Sequence, residues 1–207
     1  MIALGLTLVG DAPHPCVATP CDGLALICAP ESETGDARAR MRLQVACLRH
    51  FATFLPFAPA NVITQEAALR WSHGRQDRMA DTLSRLRETC QLSLVARPLA
   101  VPAGQPRSGA EWLRARAETV RARAEGLTRL RTTLERISAE APPLERSETT
   151  QGAQLRLHLL LSTHRLDDAL SAHRRGLAPL TQGATAWDIT VTGPWPPYDF
   201  VHWDVAA

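Results

Sequence analysis

Apolar residues fall into short blocks that switch period along the chain. Ile2 to Val9 (IALGLTLV) is a continuous apolar run ended by Gly10, Asp11 and Pro13, the pattern of a buried strand. A loop rich in Pro and Cys follows, then a second run, Leu24 to Ala29, stopped by Pro30. From Asp36 the period becomes helical: Met41, Val45, Leu48 and Ala52 recur at three to four residues until Pro56. Pro56 and Pro59 bracket a short extended segment reaching Ile63. Thr64 is positioned as the N-cap of a further helix that continues through Leu69, Met79, Leu83 and Leu86, with an interruption at Gly74. Leu92 to Leu99 returns to strand alternation, and Pro98 marks its end or an edge.

Pro102, Gly104 and Pro106 form the best internal boundary. The expected organisation is therefore a module over 1–100, a linker over 101–107 and a module over 108–207. Ser108 starts the most regular helix, where Leu113, Ala117, Val120, Ala124, Leu127, Leu130, Leu134 and Ile137 advance by threes and fours. That is close to the 3.5-residue repeat of a helix packed lengthwise on another. Pro142 and Pro143 end it. Gln154 to Leu161 reads as a strand, Leu166 to Leu177 as a helix closed by Gly176 and Pro179, and Trp187 to Thr192 as a strand. This mixed order indicates an α+β fold.

At 207 residues the chain is long enough to bury about 70% of its unfolded surface, so neither a disulfide nor a metal is needed for a core. No apolar run approaches the ~20 residues of a membrane span, and the first strand lacks the flanks of a secretory signal. The expectation is a cytoplasmic protein that does not enter membranes. All 23 basic residues are Arg, nearly balanced by 21 acids. The helix from Arg114 to Arg136 is the best case for nucleic acid, but Glu111, Glu118, Glu125 and Glu135 are interleaved and stacking aromatics are missing. A solvated face is the simpler reading, and no nucleic-acid partner is expected.

Catalytic chemistry is scarce. There is no GxGxxG, GxxxxGK[ST] or GxSxG motif, and Asp167 and Asp168 are adjacent, so a helix points them about 100° apart. His14, Cys16, Cys21 and Cys28 are spaced unlike paired zinc ligands, and His158, His164 and His173 fall on different elements. Five cysteines without paired spacing argue for reduced thiols, with Cys28, Cys47 and Cys90 as core residues. No cofactor or metal is expected. A nucleic-acid module and a small thiol- or metal-dependent enzyme remain as disfavoured alternatives.

The C-terminus carries the most distinctive composition. Trp187, Trp195, Tyr198, Phe200 and Trp203 are half of the chain's ten aromatics (five Trp, one Tyr, four Phe). Gly193-Pro194-Trp195-Pro196-Pro197-Tyr198 is rigid and poor in backbone donors. Trp195, Pro196, Pro197, Tyr198 and Phe200 are candidates for either of two roles. They cap the core, as large aromatics mostly do, or they present an aromatic patch to a partner.

Thr192-Gly193-Pro194-Trp195-Pro196-Pro197-Tyr198-Asp199-Phe200-Val201 closely resembles the C-terminal signature of the gas vesicle F/L accessory proteins (GvpF/GvpL), a strand running into a "TGPWPPYSFV"-like close. A second, looser match is His50-Phe51-Ala52-Thr53-Phe54-Leu55-Pro56-Phe57, where the family has a histidine-bearing helix leading into "LPxRFG". Here Leu55-Pro56-Phe57-Ala58-Pro59-Ala60 lacks that Arg and Gly. The resemblance implies a modified ferredoxin-like α+β module followed by an α+β module with a long coiled-coil-like helix. It also implies a non-enzymatic role in building gas vesicles, as an accessory protein or a minor shell component, in association with them. The implied partners are the hydrophobic shell protein, which the chain would bind to help nucleate or chaperone assembly, and other accessory proteins. A subunit with an exposed apolar face aggregates unless that face is covered. The seam from Leu113 to Ile137 and the tail from Trp195 to Phe200 are the places to seek such cover, although a helix stripe normally packs on its own domain, so the simpler reading of the seam is intramolecular core.

Overall fold

The structure, a computed structural model, describes residues 1–8, 11–21, 23–99, 108–152, 154–181 and 187–201. The expected linker over 101–107 and Trp203 lie outside the described residues. The fold is α+β, with two four-stranded sheets ordered β2-β3-β1-β4 and β6-β7-β5-β8. The strands are β1 (Ile2–Leu8), β2 (Val17–Cys21), β3 (Leu24–Ala29), β4 (Phe54–Pro56), β5 (Thr89–Pro98), β6 (Glu145–Gln151), β7 (Gln154–Ser162) and β8 (Trp187–Trp195). The helices are α1 (Ala37–His50), α2 (Gln65–Ser72), α3 (Gln76–Arg85), α4 (Gly109–Glu140) and α5 (Leu166–Leu177).

Two compact units result. One comprises Met1–Leu92, Leu160–Thr163 and Gly193–Ala207, the other Ser93–Leu159 and His164–Thr192. In the first, β1 lies antiparallel between β3 and β4 and is buried from Ile2 to Thr7. Burial on both faces explains why β1 and β3 read as unbroken apolar runs. One face gathers Ala3, Leu6, Leu26, Cys28 and Leu55 with Met79 and Leu83 of α3. The other gathers Leu4, Ile27, Ala29 and Phe54 with Cys47 of α1. A register shift between Ala3 and Gly5 changes the parity, which is why Ala3 and Leu6 share a face.

The segment after β1, read from sequence as loop, contains the edge strand β2, where Pro20 needs no ladder donor. Extended structure near Pro56 begins earlier than the prolines suggested, at Phe54. Thr64 caps α2 by accepting from the Ala67 N–H at 3.2 Å. Gly74, at φ +76°, breaks the helical run into α2 and α3.

In the second unit Ser108 caps α4 by accepting from the Glu111 N–H at 3.2 Å. The helix continues for 32 residues. Its C-terminal half packs on α5 so closely that a Cβ on Gly176 would lie 2.6 Å from the Ile137 side chain. Strand β6 (ERSETTQ) escaped the sequence reading because it has no buried apolar face. It is an edge strand held in part by Arg131 of α4, whose Nε donates to Glu148 at 3.0 Å.

His173 of α5 is buried, with Nδ1 2.7 Å from the Ala169 carbonyl and Nε2 without a partner. Burial lowers its pKa from the ordinary value, and the Ala169 hydrogen bond only partly opposes that. The folded state therefore prefers neutral imidazole. Its contribution is complete above the unfolded-state value near 6.5 and is lost as pH falls below it. A thermal melt is expected to shift down between pH 7.5 and 5.5, and His173→Phe is expected to flatten that slope.

Candidate functional site

Two regions hold the residues singled out from sequence. The first lies in the first unit, where the C-terminal motif meets the loop after β4. Helix α1 supplies the framework. Its most buried line is not Met41, Val45 and Leu48, which are half-buried, but Arg40, Gln44 and Cys47. The reason is local demand for donors. Arg40 Nε donates to the Pro59 carbonyl at 2.8 Å and Nη1 to the Thr34 carbonyl at 2.7 Å. One turn on, Gln44 Nε2 donates to the carbonyls of Leu4 at 2.7 Å and Phe57 at 2.8 Å. Gln44 Oε1 accepts from the Tyr198 hydroxyl at 2.7 Å. Burial, with the Cys47 thiol nearby as a lesser cause, holds the Tyr198 phenol well above its ordinary pKa, so it stays a neutral donor.

The tail is pinned from its other side by Gln91. Its Nε2 donates to Asp199 Oδ2 at 2.5 Å, and its Oε1 accepts from the Asp199 N–H at 2.9 Å. Arg85 Nη2 donates to the Phe200 carbonyl at 2.8 Å. Gly193 sits at φ +131°, where a Cβ would lie 2.8 Å from the Gln91 carbonyl oxygen, so the turn into the motif demands glycine. Pro196, Pro197, Phe200 and Val201 are buried, while Trp195 and Tyr198 are half-buried. A cavity of about 110 Å³ lies beside them, lined by Phe57, Ala58, Asn61, Tyr198 and Val201 among others. It has room for a few waters or one small side chain.

The two stretches that carry the family resemblance thus share a single polar frame. Sequence reasoning missed its members, Arg40, Gln44, Arg85 and Gln91. Arg40 and Gln44 are buried on a helix, where a polar residue has no periodic signature apart from its apolar neighbours; Arg85 is an exposed residue at the end of α3 and Gln91 lies on β5, and neither stands out in the local pattern. Gln44→Leu is expected to strand the Phe57 carbonyl and the Tyr198 hydroxyl, while Leu4 O keeps the Phe57 N–H at 2.9 Å. The expected loss is about 2–4 kcal/mol, read as a lower urea midpoint.

The second region is the seam of α4. From Leu130 it is buried at Leu130, Leu134 and Ile137. Toward the N-terminus it emerges. Leu127 is half-buried, and Leu113, Ala117, Val120 and Ala124 are exposed. Leu113 is 61% exposed, Val120 60% and Trp112 47%. Arg116 stacks its guanidinium 5.2 Å from the Trp112 ring centroid. Near the C-terminus of α4, Arg136 pairs with Glu140 at 3.4 Å.

All five cysteines are free and buried. Burial pushes the Cys28 thiol up to about 12 and Cys90 up to about 11. A hydrogen bond from Cys47 lowers Cys16 against the opposing effect of burial. Among the described residues no three of His, Cys, Asp and Glu are grouped to hold a metal, and no helix is long and apolar enough to cross a membrane.

Comparison with known proteins gives a consistent result. A family model described as gas vesicle synthesis protein GvpL/GvpF matches residues 3–202. The crystal structure of the gas vesicle protein GvpF from Anabaena sp. PCC7120 superposes with a TM-score of 0.71 at 9% identity, covering 98% of this chain and 96% of that one. That of gas vesicle protein GvpF from Microcystis aeruginosa gives 0.66 at 13% identity, covering 96% and 97%. At such identities the likeness concerns the fold. No curated protein matches the sequence.

Proposed function

Because the chain belongs to the GvpL/GvpF family of gas vesicle proteins, we propose that it acts in gas vesicle assembly by binding the hydrophobic shell protein and shielding it before incorporation. The observation that carries this reading is the exposed apolar seam of α4 between Trp112 and Ala124. A helix of 32 residues that buries only its C-terminal half leaves an apolar stripe unused by its own unit. The aromatic tail serves instead as a core cap, since Phe200 and Val201 are buried and Tyr198 is engaged by Gln44. Other gas vesicle accessory proteins are further partners, and the protein works in association with the vesicle.

Tagged protein co-expressed with the shell protein is expected to retain it through a high-salt wash, because apolar burial survives screening. Leu113→Asp with Val120→Asp is expected to abolish retention while leaving the melting temperature unchanged. Retention unaffected by those changes would place the shell site elsewhere. No retention by the unmodified chain would overturn direct binding.

A further inference from the structure

The borders of the α4 seam point to the kind of segment that docks there. At 100° per residue, Leu113, Ala117, Val120, Ala124 and Leu127 fall within about 40° of one line. Arg116 and Arg123 lie about 60–80° to one side and Arg114 and Arg121 about 80–100° to the other. The apolar stripe is thus edged by arginine on both sides. All four are exposed. Arg116 stacks on Trp112, and among the described residues Arg114, Arg121 and Arg123 form no ion pair. Glu111, Glu118 and Glu125 lie further round, behind Arg114 and Arg121.

We infer that the exposed half of α4 takes an amphipathic helix from another protein, with an apolar seam edged by Asp or Glu. This rests on the reading above that this half of α4 is a docking face. The alternation of Leu or Val with Ala gives a stripe two positions wide, the width of one helix, and the alanines let that helix approach closely. The border positions of two paired helices face one another and set partner choice by charge. Acidic borders would meet all four arginines.

A second copy of this chain is disfavoured on the same geometry. Parallel or antiparallel, its arginine borders would face these arginines, and like charges there are unfavourable. A phosphate-bearing surface would attract the arginines, but it leaves the apolar stripe without a counterpart and approaches the three glutamates.

The test uses the full chain and two synthetic helical peptides with one Leu/Ala seam. One has Glu at every border position, the other Lys. Binding is read by fluorescence anisotropy at low and at high salt. The Glu peptide is expected to bind roughly tenfold more tightly at low salt, with the gap closing as salt rises. Reversing all four borders (R114E, R116E, R121E, R123E) is expected to invert the preference, and V120D to weaken both peptides. Circular dichroism of each variant confirms that the helix persists.

Equal affinity, no binding of either peptide, or a preference unmoved by the reversal would overturn the inference. So would self-association of the chain through α4, seen by sedimentation. Capture of phosphatidylserine vesicles or single-stranded oligonucleotide in place of both peptides would do the same. The two readings separate cleanly. Peptide discrimination without shell-protein retention would leave this inference standing and overturn the shell assignment. Retention of shell protein unaffected by the border reversal would do the opposite.

Discussion

Phe200→Ala is expected to cost about 3–5 kcal/mol, the usual range for truncating a buried phenylalanine. Phe200 is 3% exposed and joins Leu6, Leu83, Leu86 and Val201 in the core of the first unit. Removing the ring leaves a cavity that the surrounding segment is poorly placed to fill, because Gln91 and Arg85 hold the backbone on either side. For a chain of this size the melting temperature is expected to fall by on the order of 10 °C. Trp195→Ala, at a half-buried position, is expected to cost much less. Differential scanning calorimetry of both variants checks the pair. A Phe200→Ala protein that melts like the parent would show that the tail does not cap the core.

Gly5→Ala is expected to be the most damaging glycine-to-alanine change among the described residues. A Cβ at Gly5 would lie 2.3 Å from the Leu55 carbonyl oxygen and 2.7 Å from the Phe54 ring. The oxygen belongs to backbone paired with β1 in the register Gly5↔Pro56 and Leu6↔Leu55, so it has nowhere to retreat without breaking that pairing. Overpacked side chains typically cost 1–3 kcal/mol, and a backbone clash in a central strand exceeds that. Strand β4 also leads into the loop held by Arg40 and Gln44, so the damage would reach the cavity beside Tyr198. Expression as insoluble protein, or a melt more than about 10 °C lower, is the expected result. Gly35→Ala, where an added Cβ meets nothing within 4 Å, is the control and is expected to be neutral.

Much of this architecture was legible from residue order. Helix α5 was delimited from Leu166 to Leu177 by its apolar period and closing glycine, the cap Thr64 was identified by chemistry that its hydrogen bond bears out, and the start of α4 was placed at Ser108, which the structure shows to be its N-cap. The α+β class followed from the order of elements. What escaped lacks a local signal. Edge strands β2 and β6 are paired on one side only and carry little apolar alternation. Arg40 and Gln44 are buried because carbonyls distant in sequence need donors, a requirement set by the assembled fold. The α4 seam was read as one continuous stripe. Its division into a buried half from Leu130 and an exposed half around Val120 depends on where α5 ends against it, which periodicity does not encode.

The exposed half of α4 is the proposed binding site for the shell protein. Hydrogen–deuterium exchange on the co-purified complex and on the free chain tests it most directly. Residues 109–127 form a helix that is solvent-exposed along most of its length in the free chain, so their amides should exchange readily by local opening. In the complex, exchange is expected to slow across 109–127 and to stay unchanged across 193–201. Protection confined to the tail, or to the loop around Pro56 and Pro59, with 109–127 exchanging as before, would contradict it.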